Sequence, residues 1–324
     1  MSIYSYLYIF IKSDGLLFSV YSSVSSDTTA INQLFFLFLL IGGALFLAIV
    51  IWIWYIIKKF KHTNDDIALI EDTGNKKVEI GITVASFIVI LVFIFLTVKT
   101  MSKISPIEIH KNPDLIITGH QWWWEFNYPK LHVETANELH IPAGKRMLVQ
   151  LQSADVIHDW WVPALGRKMD MIPGQNNFFY IESSQVGIFE GACSEFCGRQ
   201  HAWMRIKVFA DDSSTFVKWV QAQRKPAQSP KTELAEKGKI LFETKTCSTC
   251  HQINGVSTSQ SEGPNLSHIA SRTTLFTGKN NYSFENLKLW IANPQQMKPG
   301  VNMPDFILSD EEVLALATYL NQLN

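Results

Sequence analysis

Two short stretches of this chain concentrate the residue types that hold metals. GACSEFCGRQHAWM (191–204) sets Cys193, Cys197, His201 and Met204 in the spacing C-x3-C-x3-H-x2-M, and CSTCH (247–251) sets Cys247, Cys250 and His251 in the spacing C-x-x-C-H. A zinc site uses Cys and His ligands and has little use for a thioether. Thiolate, imidazole and methionine sulfur together suit copper. One histidine is too few for two coppers, and SADVIHDWWVP supplies another, His158, between two strand-like runs from which a loop could bring it to the cysteines. A bare Cys193–Cys197 disulfide stays open on this reading, since an outer membrane face permits oxidation.

C-x-x-C-H is the attachment motif of c-type haem. Cys247 and Cys250 would add to the haem vinyl groups as thioethers, and His251 would become the proximal iron ligand. The alternative, a thioredoxin-like C-x-x-C, calls for a βαβ pattern that the surrounding residues lack. A high-potential electron carrier takes a thioether as sixth ligand. Met297 and Met303 are the candidates. Met303 is favoured, because it precedes Pro304 in a turn-prone loop before the last helix.

Other elements must position these residues. Residues 34–57 and 80–98 are uncharged apolar runs long enough to span a bilayer. They predict a transmembrane hairpin over 34–103. Lys58, Lys59, Lys61, Lys76 and Lys77 in the connecting loop, against Lys12 alone before the first span, place that loop in the cytoplasm and the rest outside. Residues 1–33 form a signal-like N-terminal segment that lacks a basic n-region, so whether it is cleaved stays open. From 104 to 215 short β-branched and aromatic runs alternate with Pro and Gly turns, which predicts an all-β sandwich or barrel. A polar, proline-containing linker is expected over 216–231, and a mostly helical unit over 232–324. Its last helix opens with Ser309 and Glu312, a capping box, and continues with apolar residues at helical spacing. Basic and acidic residues balance, 28 against 29, so no global charge argues for nucleic acid.

Residues 34–210 resemble subunit II of the haem-copper cytochrome c oxidases. The hairpin, GHQWWWEF, DVIHDWWVPALGRKMDMIPG and CSEFCGRQHAWM follow one another in that family's order. The last unit resembles a class I cytochrome c. Gly238 and Phe242 match its first helix, Tyr319 its last, and GPNL (263–266) the segment whose proline carbonyl, here Pro264, accepts a hydrogen bond from the proximal histidine. Together, residues 34–324 resemble a caa3-type subunit II with a fused cytochrome c domain.

The resemblance implies a two-helix hairpin, a cupredoxin-like all-β barrel and an all-α cytochrome c domain. It implies a dinuclear copper centre, CuA, bridged by Cys193 and Cys197. His158 and His201 would each bind one copper, with Met204 and the backbone carbonyl of Glu195 as weak axial ligands. The Glu195 carboxylate would bind Mg or Mn shared with subunit I, and Lys168 and Asp170 lie near the same boundary. Trp122 would be the electron entry and Glu79 the mouth of a proton path. One covalent haem c is expected on Cys247, Cys250, His251 and Met303. His268, nearby, is expected on the surface.

The implied partners are oxidase subunits I and III, and a cytochrome c or a membrane quinol-oxidising complex as donor. The implied place is the bacterial inner membrane, with both redox domains on the periplasmic face. Electrons would pass from donor to haem c, to CuA, to haem in subunit I, where O2 becomes water and protons are pumped. This chain offers no site for oxygen chemistry. The other reading is a membrane-anchored copper and haem shuttle serving another reductase.

Overall fold

The computed structural model describes residues 21–61, 74–105, 112–257, 262–277 and 280–324. Most of the signal-like segment and the middle of the connecting loop lie outside them.

Residues 29–105 form a unit of their own. Helix α1 spans Ser26–Lys59 and α2 spans Lys76–Ile104. Both outrun the apolar runs that predicted them, because polar residues at each end satisfy the helix termini. At the start of α1 the Thr28 N–H donates to Ser25 Oγ at 3.0 Å, and the Ser25 N–H donates to Thr28 Oγ1 at 3.1 Å. At the start of α2 the Asn75 side chain accepts from the Lys77 N–H. At 34 residues, α1 runs about 51 Å, well beyond the roughly 30 Å hydrocarbon core of a bilayer. Phe38 and Phe93 stack at 3.8 Å between the helices, and most of the other large apolar side chains are exposed. In water such faces would be untenable, so the two helices anchor the chain in a membrane.

The other unit begins with ten strands. They are β1 (Leu115–His120), β2 (Trp123–Tyr128), β3 (Val133–Ala136), β4 (Glu138–Pro142), β5 (Met147–Ser153), β6 (His158–Trp161), β7 (Met169–Met171), β8 (Asn177–Ile181), β9 (Gly187–Cys193) and β10 (Arg205–Asp211). Two five-stranded sheets result, ordered β3-β2-β1-β5-β8 and β4-β10-β9-β6-β7. The β1–β5 and β4–β10 pairs are parallel and the others antiparallel. This is the cupredoxin-like arrangement. Its core holds Trp124, Phe126 and Trp160, with the two rings Trp124 and Phe126 edge-on to Trp160.

Helix α3 (Ser213–Gln223) follows, where residues 216–223 were expected to begin the linker. Asp212 caps it by accepting from the Ser214 and Thr215 N–H groups, and Phe216, Trp219 and Val220 turn one apolar face inward. The last part of the unit is helical: α4 (Glu233–Thr244), the single turn α5 (Cys247–Cys250), α6 (Phe284–Ala292), the turn α7 (Pro294–Met297) and α8 (Asp310–Leu320). The Ser309–Glu312 capping box is formed, with both reciprocal hydrogen bonds. Helix α4 crosses α8 at Gly238. A Cβ there would lie 2.0 Å from the Ala315 carbonyl oxygen, so only glycine lets the helices approach this closely.

Candidate metal centres

The copper-type cluster is built at one end of the second sheet. Strand β9 ends at Cys193, and the loop that follows brings Cys197, His201 and Met204 back beneath it before β10 starts. Cys193 Sγ lies 3.7 Å from Cys197 Sγ, 3.9 Å from His158 Nδ1 and 3.2 Å from the Glu195 carbonyl oxygen. Cys197 Sγ lies 3.6 Å from His201 Nδ1 and 3.8 Å from Met204 Sδ. Both cysteines are free thiols, so the disulfide alternative falls. Cys193, Cys197, His158 and Met204 are buried.

These donors fit a copper pair. Two thiolates face each other with one imidazole nitrogen on each side, and a thioether and a carbonyl oxygen complete the set. The hydrogen bond from Cys197 and contact with His158 hold the Cys193 thiol far below its ordinary range, at about 3, and that same hydrogen bond, with burial, pushes Cys197 up. Of the two thiols, Cys193 is the one placed to ionise first.

His158 reaches the cluster from a strand and not from a loop. It is the first residue of β6, whose Trp160 pairs with Cys193 of β9. Its orientation depends on a residue the sequence reading missed. Asp155 accepts from His158 Nε2 at 2.8 Å, which leaves Nδ1 facing the cysteines. Burial opposes protonation of His158, but its bonds with Asp155 and Cys193 outweigh this and raise its pKa. Burial likewise works against ionisation of Asp155. The hydrogen bonds from His158 and from the Val156 and Gln121 N–H groups nevertheless hold its carboxyl below the usual range. Asp155 opens the stretch DVIHDWWVPALGRKMDMIPG, but no spacing marks it as the partner of His158; the turn into β6 places it.

The aromatic run divides by structure. Trp123 stacks on His120 at 4.0 Å, while Trp122 and Trp124 both belong to the buried core. Strand alternation explains Trp123 and Trp124. Trp122 lies in the turn before β2 and is placed instead by its Nε1–H, which donates to the Cys197 carbonyl at 2.8 Å. Gly198, at φ +110°, makes room for that ring; a Cβ there would lie 2.9 Å from it.

Glu195 and Phe196, between the cysteines, are exposed, and so are Lys168, Asp170 and Glu79. Asp159, beside His158, was not singled out from sequence. It is 2% exposed, its Oδ1 has no hydrogen-bond partner, and burial together with Asp170 raises its pKa to about 7.

The second centre is a cavity of about 530 Å³, counted with its open mouth, lined by apolar side chains with Cys247, His251 and Met303. His251 Nδ1 donates to the Pro264 carbonyl at 2.8 Å, which leaves Nε2 free for a metal. Burial lowers the His251 pKa and so keeps the ring neutral. Met303 lines the cavity. Met297 packs against the neighbouring core from α7. An apolar slot lined by a neutral imidazole, a thioether and the Cys247 thiol, with the exposed Cys250 thiol three residues along the chain, fits a covalently attached haem. His268, expected on the surface, is 4% exposed and its Nε2 meets the Gln223 carbonyl at 3.1 Å. It is a packing residue at the seam between the β sandwich and the helical part.

Comparison with known proteins agrees with both centres. The family described as "Cytochrome C oxidase subunit II, periplasmic domain" matches residues 129–210, and the family described as "Cytochrome c" matches residues 235–324. Cytochrome c oxidase subunit 2 of Alkalihalophilus pseudofirmus is 34% identical over 292 residues, covering 86% of this chain and 83% of that one. The proteins of the same name from Bacillus subtilis and Bacillus sp. (strain PS3) are 29% and 31% identical. They cover 83% and 77% of this chain, and the chain covers 82% and 75% of theirs. With its two apolar helices, its cupredoxin-like domain and its fused helical domain, this chain belongs to the cytochrome c oxidase subunit 2 family.

Proposed function

We propose that this chain is the electron-input subunit of a haem-copper oxidase, taking electrons at its own haem c and handing them through CuA to subunit I. Membership of the family already implies an oxidase electron-transfer role, copper and haem, and association with subunit I. The route and the residues are what is proposed. When bound, the haem and the copper pair supply one-electron chemistry in the order donor, haem, copper, subunit I.

The chain's own residues make that order workable. His251, fixed by the Pro264 carbonyl, and Met303 would hold the iron, with Cys247 and Cys250 as thioethers. Cys193, Cys197, His158, His201, Met204 and the Glu195 carbonyl would together hold the copper pair. A buried, prearranged donor set needs little movement when an electron arrives, which keeps transfer fast.

The observation that carries the route is a contact between two loops. The Gln200 side chain, just after Cys197, donates to the Pro299 carbonyl just before Met303. The Asn302 side chain donates to the Gln121 carbonyl, next to Trp122, at 2.9 Å. The loop that would carry the haem methionine thus rests on the loop that would carry the copper, and Trp122 lies where they meet.

Around this core, exposed Glu195 would complete a Mg or Mn site with subunit I, and Glu79 would open a proton path on the cytoplasmic side. Subunit III and an external donor, a cytochrome c or a quinol-oxidising complex, would complete the assembly, in a bacterial inner membrane with both centres on the periplasmic face. Optical and EPR spectra of the purified complex test the cofactor assignment. They should contain a mixed-valence copper-pair signal and a low-spin c-type haem. A mononuclear copper signal in place of the pair would contradict it.

A further inference from the structure

Lys298 lies in the loop between the helical turn α7 and Met303, and it is 2% exposed. Its Nζ lies 3.1 Å from Thr277 Oγ1, 3.4 Å from the Trp122 carbonyl oxygen and 5.6 Å from the centre of the Phe276 ring. Among the described residues no carboxylate forms an ion pair with it. A buried ammonium without a counter-ion is costly, and such groups persist where something else compensates them. The nearest compensation here is partial: a hydroxyl, a carbonyl and a ring face. Burial lowers the pKa to about 8, while Cys197 acts in the opposite direction. Lys298 therefore meets the copper-type loop through Trp122, whose carbonyl faces its Nζ and whose Nε1–H donates to the Cys197 carbonyl.

We propose that Lys298 is a positioning residue for electron transfer: its buried ammonium, held against Trp122 by the haem-bearing part of the chain, biases the electron toward the copper pair. This rests on the reading of the two centres given above. A fixed positive charge stabilises whichever state of a neighbouring acceptor carries the extra electron. In general, a unit charge about 12 Å from an acceptor, at an effective dielectric constant of about 20, shifts its equilibrium by about tenfold. For one electron that corresponds to about 59 mV.

The seam is also anchored away from Lys298, so the role of Lys298 is separable from docking. Glu138, on β4 and 4% exposed, accepts from the N–H and hydroxyl groups of both Thr273 and Thr274, at 2.6–3.0 Å for its Oε1. Lys207 donates to Thr273 Oγ1 at 3.0 Å, and Asn265 donates to Glu134 at 3.3 Å. These bonds lie on β3, β4 and β10, away from the Lys298 contact.

The test is a redox titration of the intact oxidase, following copper and haem c separately, for wild type, Lys298→Met, Lys298→Gln and Lys298→Arg. Met keeps most of the volume and loses charge and hydrogen bonds. Gln retains a donor for the Trp122 carbonyl and loses only the charge. Arg retains the charge. The expected result is a copper potential lowered by about tenfold in equilibrium terms in both Met and Gln, with the Arg variant close to wild type. Glu138→Gln should leave the copper potential where it is. A copper potential unchanged in Gln, with the copper signal intact, would overturn the proposal, and Gln carries the test alone if Met fails to assemble. Absence of a copper-pair signal in wild type would instead overturn the underlying reading of the site, and this proposal with it.

Discussion

Replacing Gly238 by alanine sets two effects of known size against each other. Alanine is the better helix former in the interior of α4, by about 0.8–1 kcal/mol. Yet the new Cβ would sit 2.0 Å from the Ala315 carbonyl oxygen, 2.6 Å from its carbon and 2.9 Å from Tyr319 Cβ. The first two are backbone atoms of α8, so no side chain can rotate away, and the helices must separate by more than 1 Å. Overpacking of this kind costs about 1–3 kcal/mol, occasionally more. The upper end applies, because separation also loosens Phe242 against Tyr319, whose rings are 6.2 Å apart and nearly fully buried. The net loss is about 2 kcal/mol. For a unit of this size each kcal/mol moves Tm by about 4–8 °C, so Gly238→Ala should lower the haem-domain transition by about 8–16 °C. Thermal melts of the whole protein, followed by Soret absorbance, measure this. A transition equal to or above wild type would mean that helix propensity wins and that the close crossing is not what glycine is there for.

Other outcomes follow from the same geometry. Met303→Leu should lower the haem potential and slow turnover while the copper spectrum stays intact; Met297→Leu should leave the haem potential close to wild type, and the opposite pattern would exchange their roles. Asp155→Ala removes the acceptor for the buried His158 Nε2 and should weaken copper affinity by about 10–100-fold in a competition titration with a chelator. Asp159 has its pKa raised to about 7, so the folded metal-free protein holds that proton more tightly than the unfolded chain does. The stability this confers is complete below the unfolded pKa of about 3.9 and is lost as pH rises to about 7. Asp159→Asn should flatten that decline in denaturant titrations.

The copper-type ligands were legible where they lie in one loop. C-x3-C-x3-H-x2-M returns Cys193, Cys197, His201 and Met204 to one point over a short path, and spacing alone brought them forward. His158 was legible as a residue and not as a geometry, because β6 is short and its pairing with β9 is non-local. Asp155 was invisible, since an exposed acid in a turn has no periodicity to betray its hydrogen bond. Helix α3 was hidden by a polar sequence whose apolar face rests on only Phe216, Trp219 and Val220. His268 and Lys298 were misjudged or missed for one reason. His268 read as a surface residue and Lys298 drew no notice, because a second folded part of the same chain covers them and nothing local to either says where that cover lies.

On the proposed route, electrons reach copper through the attached haem. The most direct test is time-resolved reduction of the intact oxidase with a rapid one-electron donor, following the haem c and copper bands together. The account predicts that haem c reduces first and then reoxidises as copper reduces, in one first-order phase whose rate is independent of protein concentration. Reduction of copper ahead of haem c, or a transfer rate that scales with protein concentration, would contradict it.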